Sequence, residues 1–199
     1  MTHDLFRYLP VDHDSGLGIP YEPKDGSRGV MQYFDLKKNL DLIPAVRELR
    51  NRPELQNFIS ELNKASSVFR TLRCEARCTC NPSNANAWQT HWHVTFAFEK
   101  LAQNRAVNYD ALNAILESSV RRGQKGHNIA FDIRKIQTSY RDHGVTLWSE
   151  DVEVYGMGTT EALSETEFIY GLRLLRNFFY AESKKWFGEI FKGRETTIS

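Results

Sequence analysis

Residues Trp88–Phe98 alternate between polar and mainly apolar side chains, and this alternation constrains the fold more than any other feature of the chain. A period of two predicts a β-strand with one face buried and the other exposed to solvent. His91 and His93 occupy odd-numbered positions of the run, so both imidazoles are predicted to lie on the exposed face. Their Cα atoms would be roughly 6.5–7 Å apart, which is close enough for two imidazoles to bind one metal ion.

A second alternating run, Leu72–Cys80, precedes the first, and the segment between them is rich in Asn, Ser and Pro. Two such runs joined by turn-forming residues predict a β-hairpin. A hairpin that is symmetric about Asn84 places Glu75 directly opposite His93, with their Cβ atoms about 4.5–5.5 Å apart. A slip of one residue would move these side chains to opposite faces, so their shared polar face supports this register. The sequence therefore predicts that Glu75 completes a metal site with the two histidines.

Helical periodicity separates the hairpin from the other predicted strands. Two helical segments precede the hairpin, another follows it at Tyr109–Arg122, and a long helix opens at the capping box Ser164–Glu167. Paired strands separated by helices predict an α+β domain, with an antiparallel sheet of about five strands and helices packed mainly on one face. The glycine- and proline-rich residues 1–28 predict an irregular N-terminal segment, and residues 29–199 a single domain.

The composition narrows the functional classes without selecting one. The 199 residues are 41% hydrophobic and carry a net charge of +1, with a pI of about 7.7, so no global positive charge indicates nucleic-acid binding. No run approaches the length of a membrane-spanning helix, and the first residues lack the profile of a signal peptide. The chain is therefore expected to be a cytoplasmic protein that does not bind the membrane.

The stretch His91-Trp92-His93-Val94 resembles the histidine–hydrophobic–histidine motif of the HUH endonucleases, which include rolling-circle replication initiators. In that family the motif lies on a central strand of an antiparallel sheet and binds a metal ion, often with a carboxylate from a neighbouring strand. The family also uses a tyrosine on a later helix, often followed by a lysine one turn on. Tyr180 and Lys184 match that pattern, because a spacing of four residues places both side chains on one face of a helix.

The resemblance implies a metal-dependent enzyme that nicks and joins single-stranded DNA. Tyr180 would be the nucleophile, and Lys184 would assist it. The metal ligands would be His91, His93 and Glu75. Mg²⁺ or Mn²⁺ is the expected cofactor, since a nicking site must leave coordination positions for phosphate oxygens.

The stretch His93-Val94-Thr95 is also similar to the His-x-Thr motif of the two-histidine phosphoesterases that act on RNA 2′,3′-cyclic phosphates. Such an enzyme needs a second motif, so that one imidazole acts as base and the other as acid. The stretch His143-Gly144-Val145-Thr146 has one residue too many, and its His and Thr would lie on opposite faces of a strand. The chain would therefore be a degenerate member of that class.

A non-enzymatic protein-binding module, such as an adaptor, chaperone-like or immunity protein, is the third interpretation. The last predicted helix is apolar on more than one side, through Phe178–Tyr180, Trp186-Phe187 and Ile190-Phe191. Such a surface needs a partner, which the sheet, another protein or a second copy of the chain would supply. This interpretation predicts a complex or homodimer through the C-terminal helix, with the two histidines as ordinary surface residues.

Overall fold

The computed structural model describes residues 6–19, 34–80 and 88–195. The strands are β1 (Phe6–Tyr8), β2 (Asp12–Ile19), β3 (Phe69–Cys80), β4 (Trp88–Phe98), β5 (Ile129–Tyr140) and β6 (Val145–Gly158). The helices are α1 (Pro53–Asn63), α2 (Ala106–Gly123) and α3 (Glu161–Glu195), and short 3₁₀ turns lie at Leu40–Ala45, Arg47–Leu49, Leu101–Gln103 and Arg141–His143. The predicted α+β class is confirmed. No helix of these residues is long and apolar enough to cross a membrane.

The strands form one open, mixed sheet in the order β1-β5-β6-β4-β3, and β2 also pairs with β5. The pairs β3–β4, β4–β6 and β5–β6 are antiparallel, whereas β1 and β2 run parallel to β5. The sheet is therefore mostly antiparallel, as predicted. It has six strands among the described residues instead of about five, and the two parallel pairings were not predicted.

Strands β1 and β2, which were not predicted, lie inside residues 1–28, for which the sequence predicts irregular chain. β2 contains Gly16 and Gly18 and has no clean polar–apolar alternation, so its local signal is weak. Burial compensates for this weakness, because Leu17 and Ile19 pack with Ile136 of β5 in a small apolar cluster. Tertiary packing thus outweighs local strand propensity in this segment.

The three helices cover one face of the sheet. Phe58 of α1 makes an edge contact with Trp92, at a ring-centroid distance of 5.1 Å, and Phe179 of α3 packs 4.8 Å from Phe96. Tyr109 of α2 lies under the end of β4 and contacts its last aromatic ring. The even-numbered side chains of β4 are therefore part of the main core, and the odd-numbered side chains point away from the helices.

Helix α3 begins at Glu161, three residues before the predicted capping box. The Thr160 hydroxyl accepts a hydrogen bond from the backbone N–H of Leu163, at 3.2 Å, and so acts as the cap. Ser164, predicted to be the cap, is instead buried, and its hydroxyl lies 2.9 Å from the Thr90 hydroxyl of β4. The serine therefore joins the helix to the sheet.

Candidate functional site

Polar side chains gather on the face of the sheet that carries no described helix. On β4, Trp92 and Val94 are fully buried beneath the helices, whereas His91 and His93 point the other way and are half-buried. We call this side of the sheet the polar face. It comprises Arg7 of β1, Arg73 and Glu75 of β3, His91, His93 and Thr95 of β4, Asp132 and Arg134 of β5, and Asp151, Glu153 and Tyr155 of β6.

The predicted register of the β3–β4 hairpin is confirmed. Glu75 lies opposite His93, and Arg77 lies opposite His91. The register shifts only between Thr71 and Arg73, at the other end of the hairpin. The backbone therefore brings the three predicted metal ligands to neighbouring positions on one face.

Strand β6 is the second neighbour of β4, and it adds two polar residues beside the histidines. Glu153 lies opposite His93, and Tyr155 lies opposite His91 with a ring-centroid distance of 5.6 Å. His93 is consequently flanked by a glutamate on each neighbouring strand. Directly opposed side chains of this kind have Cβ atoms about 4.5–5.5 Å apart.

The carboxylate of Asp151 on β6 holds His93 in place. The imidazole Nε2 lies 2.9 Å from Asp151 Oδ1, and these side chains are only 15% and 13% exposed. The carboxylate also accepts a hydrogen bond from the Thr95 hydroxyl and lies 3.4 Å from an Arg73 guanidinium nitrogen. Burial alone would raise the pKa of this carboxyl, but its bonds to His93, Thr95 and the arginine together hold the pKa below its ordinary value. Asp151 is therefore ionised at neutral pH and orients the imidazole.

A second hydrogen-bonded group lies beside the first. Asp132 of β5 accepts hydrogen bonds from the Arg7 guanidinium, with Nε at 2.7 Å, and from the Tyr155 hydroxyl at 3.1 Å. The same hydroxyl also contacts the carboxylate of Glu153. Burial, followed by the hydrogen bond to Glu153, raises the pKa of Tyr155 well above its ordinary value. Tyr155 therefore keeps its proton near neutral pH and is a poor nucleophile.

The polar face is not arranged as a finished metal centre. Within residues 6–19, 34–80 and 88–195, no three His, Cys, Asp or Glu side chains are close enough together to hold an ion. His93 is bonded to Asp151, and Glu153 is bonded to Tyr155. The strand register already places His91, His93 and Glu75 at neighbouring positions. Metal binding here would therefore require their side chains to rotate, while the strand pairing would stay the same.

Tyr180 and Lys184 lie on α3, on the other side of the sheet from the two histidines. Phe179 points into the core and packs on Phe96, so the next residue, Tyr180, points away from the sheet and is 45% exposed. The body of the sheet separates this hydroxyl from the polar face. The predicted nucleophile and the predicted metal ligands therefore do not form one site within a single chain.

The predicted proximity of Tyr180 and Lys184 is nevertheless confirmed. The Lys184 ammonium lies 4.3 Å from the centroid of the Tyr180 ring, and the Lys64 ammonium of the α1 end lies 4.8 Å from it. The hydrogen bond from Lys184, more than any other interaction, lowers the pKa of the Tyr180 hydroxyl. The phenol is thus placed in a cationic surrounding on the helix layer.

The sequence prediction omitted the β6 residues that support His93. Their signal is the alternation of Asp151, Glu153 and Tyr155 with the buried Val152 and Val154. That pattern predicts a strand with one polar face. It does not indicate that the strand pairs with β4, because pairing between distant strands leaves no local mark on the sequence.

The second imidazole of a two-histidine phosphoesterase does not face His93 in the described part of the chain. The positions directly opposite His93 are Glu75 and Glu153. His143 belongs to the exposed turn between β5 and β6. The Thr95 hydroxyl lies 3.5 Å from His93 Nε2, but its shorter bond is to Asp151.

Comparison of the chain with protein-family models, with curated proteins and with solved structures found no match. Function is therefore inferred from the geometry of the two regions that carry the predicted residues. These are the polar face, with the Asp151–His93 pair, and the surface of α3 around Tyr180.

Proposed function

We propose that the polar face binds one divalent ion, Mg²⁺ or Mn²⁺, through His91, His93 and Glu75, and that the chain is a nuclease that nicks single-stranded DNA. The contact of His93 Nε2 with Asp151 at 2.9 Å is the observation that carries this proposal. A metal-bound imidazole commonly donates its other ring N–H to a carboxylate, which fixes the tautomer and the orientation of the ring. An Nε2–H that donates to Asp151 leaves Nδ1 of His93 for the ion.

The charges around His93 also favour a cation. Arg7 bonds Asp132 and Arg73 bonds Asp151, so these two arginines are already paired with carboxylates. Glu153, beside His93, forms no salt bridge with any described residue, and its carboxylate accepts a hydrogen bond from the Tyr155 hydroxyl. A divalent ion beside His93 would supply a positive charge to the Glu153 carboxylate, and a hard cation prefers oxygen ligands of this kind.

Water is the nucleophile that best fits this face within one chain, since Tyr180 lies beyond the sheet. A divalent ion held by His91, His93 and Glu75 would lower the pKa of a bound water and polarise a phosphate oxygen. Attack by the water oxygen would form a new P–O bond to phosphorus and break the bond to the leaving oxygen, which takes up the proton lost by the water and is released as an alcohol. Arg134 lies beside Asp151 on β5, has no ion pair with a described residue, and is positioned to hold a phosphate oxygen. Joining the strands again would require a covalent intermediate, for which a second chain would have to supply Tyr180.

Titration with Mn²⁺ by calorimetry should show about one bound ion per chain. The exchange His91→Ala should remove most of the binding, and Glu75→Gln should weaken it, because Gln keeps the shape of Glu without its charge. The exchange Asp151→Asn should lower the affinity by about 10–100-fold although no ligand is removed. Affinity should fall as the pH is lowered, since a metal-bound imidazole must be neutral and protons compete with the ion for its nitrogen.

His127 provides a matched control for the titration. It also pairs with a carboxylate, Glu167 at 3.1 Å, but it stacks on Tyr170 of α3 and lies outside the polar face. The exchange His127→Ala should leave Mn²⁺ binding unchanged. A wild-type protein that binds no Mn²⁺ at about 1 mM would contradict the metal site. Equal losses in the His127 and His91 variants would do the same.

A nicking assay on a single-stranded DNA circle separates the two nucleophiles. Hydrolysis by water predicts that Tyr180→Phe keeps most of the Mn²⁺-dependent activity, whereas His91→Ala loses it. A covalent DNA–protein adduct that disappears in Tyr180→Phe would instead show that tyrosine attack occurs between two chains. In either case the His91→Ala variant tests the metal site, and the Tyr180→Phe variant identifies the nucleophile.

A protein-binding module is the second candidate, and the paired side chains of the polar face favour it. Asp132 with Arg7, and Asp151 with Arg73 and His93, satisfy one another without any ligand. Side chains that satisfy one another in this way can stabilise the sheet or form a polar surface for a partner, without binding any ion. A folded protein with neither Mn²⁺ binding nor nicking activity would favour this candidate.

A further inference from the structure

A polar groove lies between α1 and α3, on the outer side of the helix layer. Its volume is about 440 Å³, which lies in the range of small-molecule sites. The residues that line it are Asn57, Ser60, Glu61, Arg176, Asn177 and Tyr180. Each of these side chains ends in a polar group, so the groove is suited to a polar ligand.

Positive charge predominates in and beside the groove. Arg176 lines it, and the ammonium groups of Lys64 and Lys184 lie within 5 Å of the Tyr180 ring centroid. Glu61 is the acidic residue of the lining, and it already bonds Lys64. Arg176 and Lys184 form no ion pair with any residue in the described part of the chain. Two cationic groups are therefore available to an anion.

Neutral hydrogen-bond donors line the groove together with Arg176. Asn57 and Ser60 belong to α1, and Asn177 follows Arg176 in α3. None of these four side chains hydrogen-bonds another described residue. A planar guanidinium can donate two parallel hydrogen bonds to a phosphate. Amide and hydroxyl groups can donate hydrogen bonds to the remaining phosphate oxygens.

We propose that this groove is a binding site for the phosphate group of a small molecule, with Arg176 as its main anchor and Lys184 as the second cation. The ligand class is either inorganic phosphate or a phosphate monoester, and both present the same anion to the same donors. The site lies on the helix layer, so it is independent of any metal ion at the polar face. It also gives Tyr180 and Lys184 a role that does not require them to reach the histidines.

Calorimetric titration at constant ionic strength tests the site with two probes, inorganic phosphate and ribose 5-phosphate. Wild-type protein should bind at least one of them, and Arg176→Gln should weaken that binding by at least about tenfold, because a charge-assisted hydrogen bond is lost. Arg173→Gln is the matched control, since Arg173 lies one turn earlier on α3, bonds Glu54 at 3.0 Å, and does not line the groove. Tighter binding of ribose 5-phosphate would identify a phosphate monoester as the ligand, and tighter binding of inorganic phosphate would identify the free ion.

A spectroscopic titration of Tyr180 gives a second, independent measurement. Bound phosphate adds negative charge beside the phenol and competes for Lys184, so it should raise the pKa of Tyr180. The phenolate absorbance of wild type minus that of Tyr180→Phe, followed against pH with and without phosphate, isolates this one tyrosine. Absence of binding by either probe at about 10 mM would overturn the proposal. Binding that Arg176→Gln does not weaken, or that leaves the Tyr180 titration unchanged, would also overturn it.

Discussion

Replacement of Gly156 by alanine should destabilise the protein by about 3 kcal/mol or more, the upper end of the cost of overpacking a core. Gly156 lies on β6 directly beneath α3. A Cβ at this position would come within 2.6 Å of Phe168 Cα, and closer still to the Phe168 nitrogen and the Ser164 carbonyl oxygen. These are backbone atoms of a long helix, so they cannot move aside as a side chain can. The helix would have to lift from the sheet.

Gly171 is the matched control for this experiment. A Cβ on Gly171 would meet Val154 Cγ1 at 2.9 Å, and this contact is with the end of a side chain. The exchange Gly171→Ala should therefore lower the free energy of unfolding by less than Gly156→Ala does. The higher helix propensity of alanine offsets up to about 1 kcal/mol of the loss. Urea unfolding followed by circular dichroism measures both variants. Equal losses would contradict the view that backbone contact with Phe168 makes Gly156 irreplaceable.

The sequence was sufficient to predict the part of the site that lies on one hairpin, formed by β3 and β4. The polar–apolar alternation of β3 and β4, together with the short connection between them, was sufficient to predict the pairing of Glu75 with His93. Asp151 and Glu153 were missed, because they reach His93 only through the pairing of β4 with β6. The 46 residues 99–144 lie between these strands in the chain, and the alternation of each strand is compatible with several sheet orders.

Tyr180 shows a different limit of the sequence argument. A spacing of four residues correctly predicts that it is a neighbour of Lys184, but it does not say which layer of the fold the pair faces. The adjacent Phe179 decides this, because it is buried on Phe96 and so turns Tyr180 outward. Helices that cover one face of a sheet cannot deliver side chains to the opposite face. The order of motifs along the chain carried no information about that separation.

Glu150 is the other residue whose replacement should have a large effect, and here the expected change is a gain in stability. Its side chain is completely buried on the helix side of β6, and neither carboxyl oxygen has a hydrogen-bond partner among the described residues. Lys135, opposite it on β5, bonds Asp110 instead. Burial therefore raises the pKa of Glu150 well above its ordinary value, and the nearby amide of Asn113 and the charge of Lys135 offset this only in part.

The exchange Glu150→Gln should consequently raise the free energy of unfolding at pH 8, by about 1.4 kcal/mol for each pH unit over which the folded protein keeps a proton that the unfolded chain has lost. The folded state retains the Glu150 proton at pH values where the unfolded state has lost it, so wild-type stability falls as pH rises from about 4.5 toward the raised pKa. The advantage of the glutamine variant should therefore shrink as the pH is lowered from 8 to 5. Glu165→Gln, at a half-buried position on α3, should show no such dependence. Urea titrations at both pH values measure the effect, and a constant difference between Glu150→Gln and wild type would show that the carboxyl is already ionised in the folded protein.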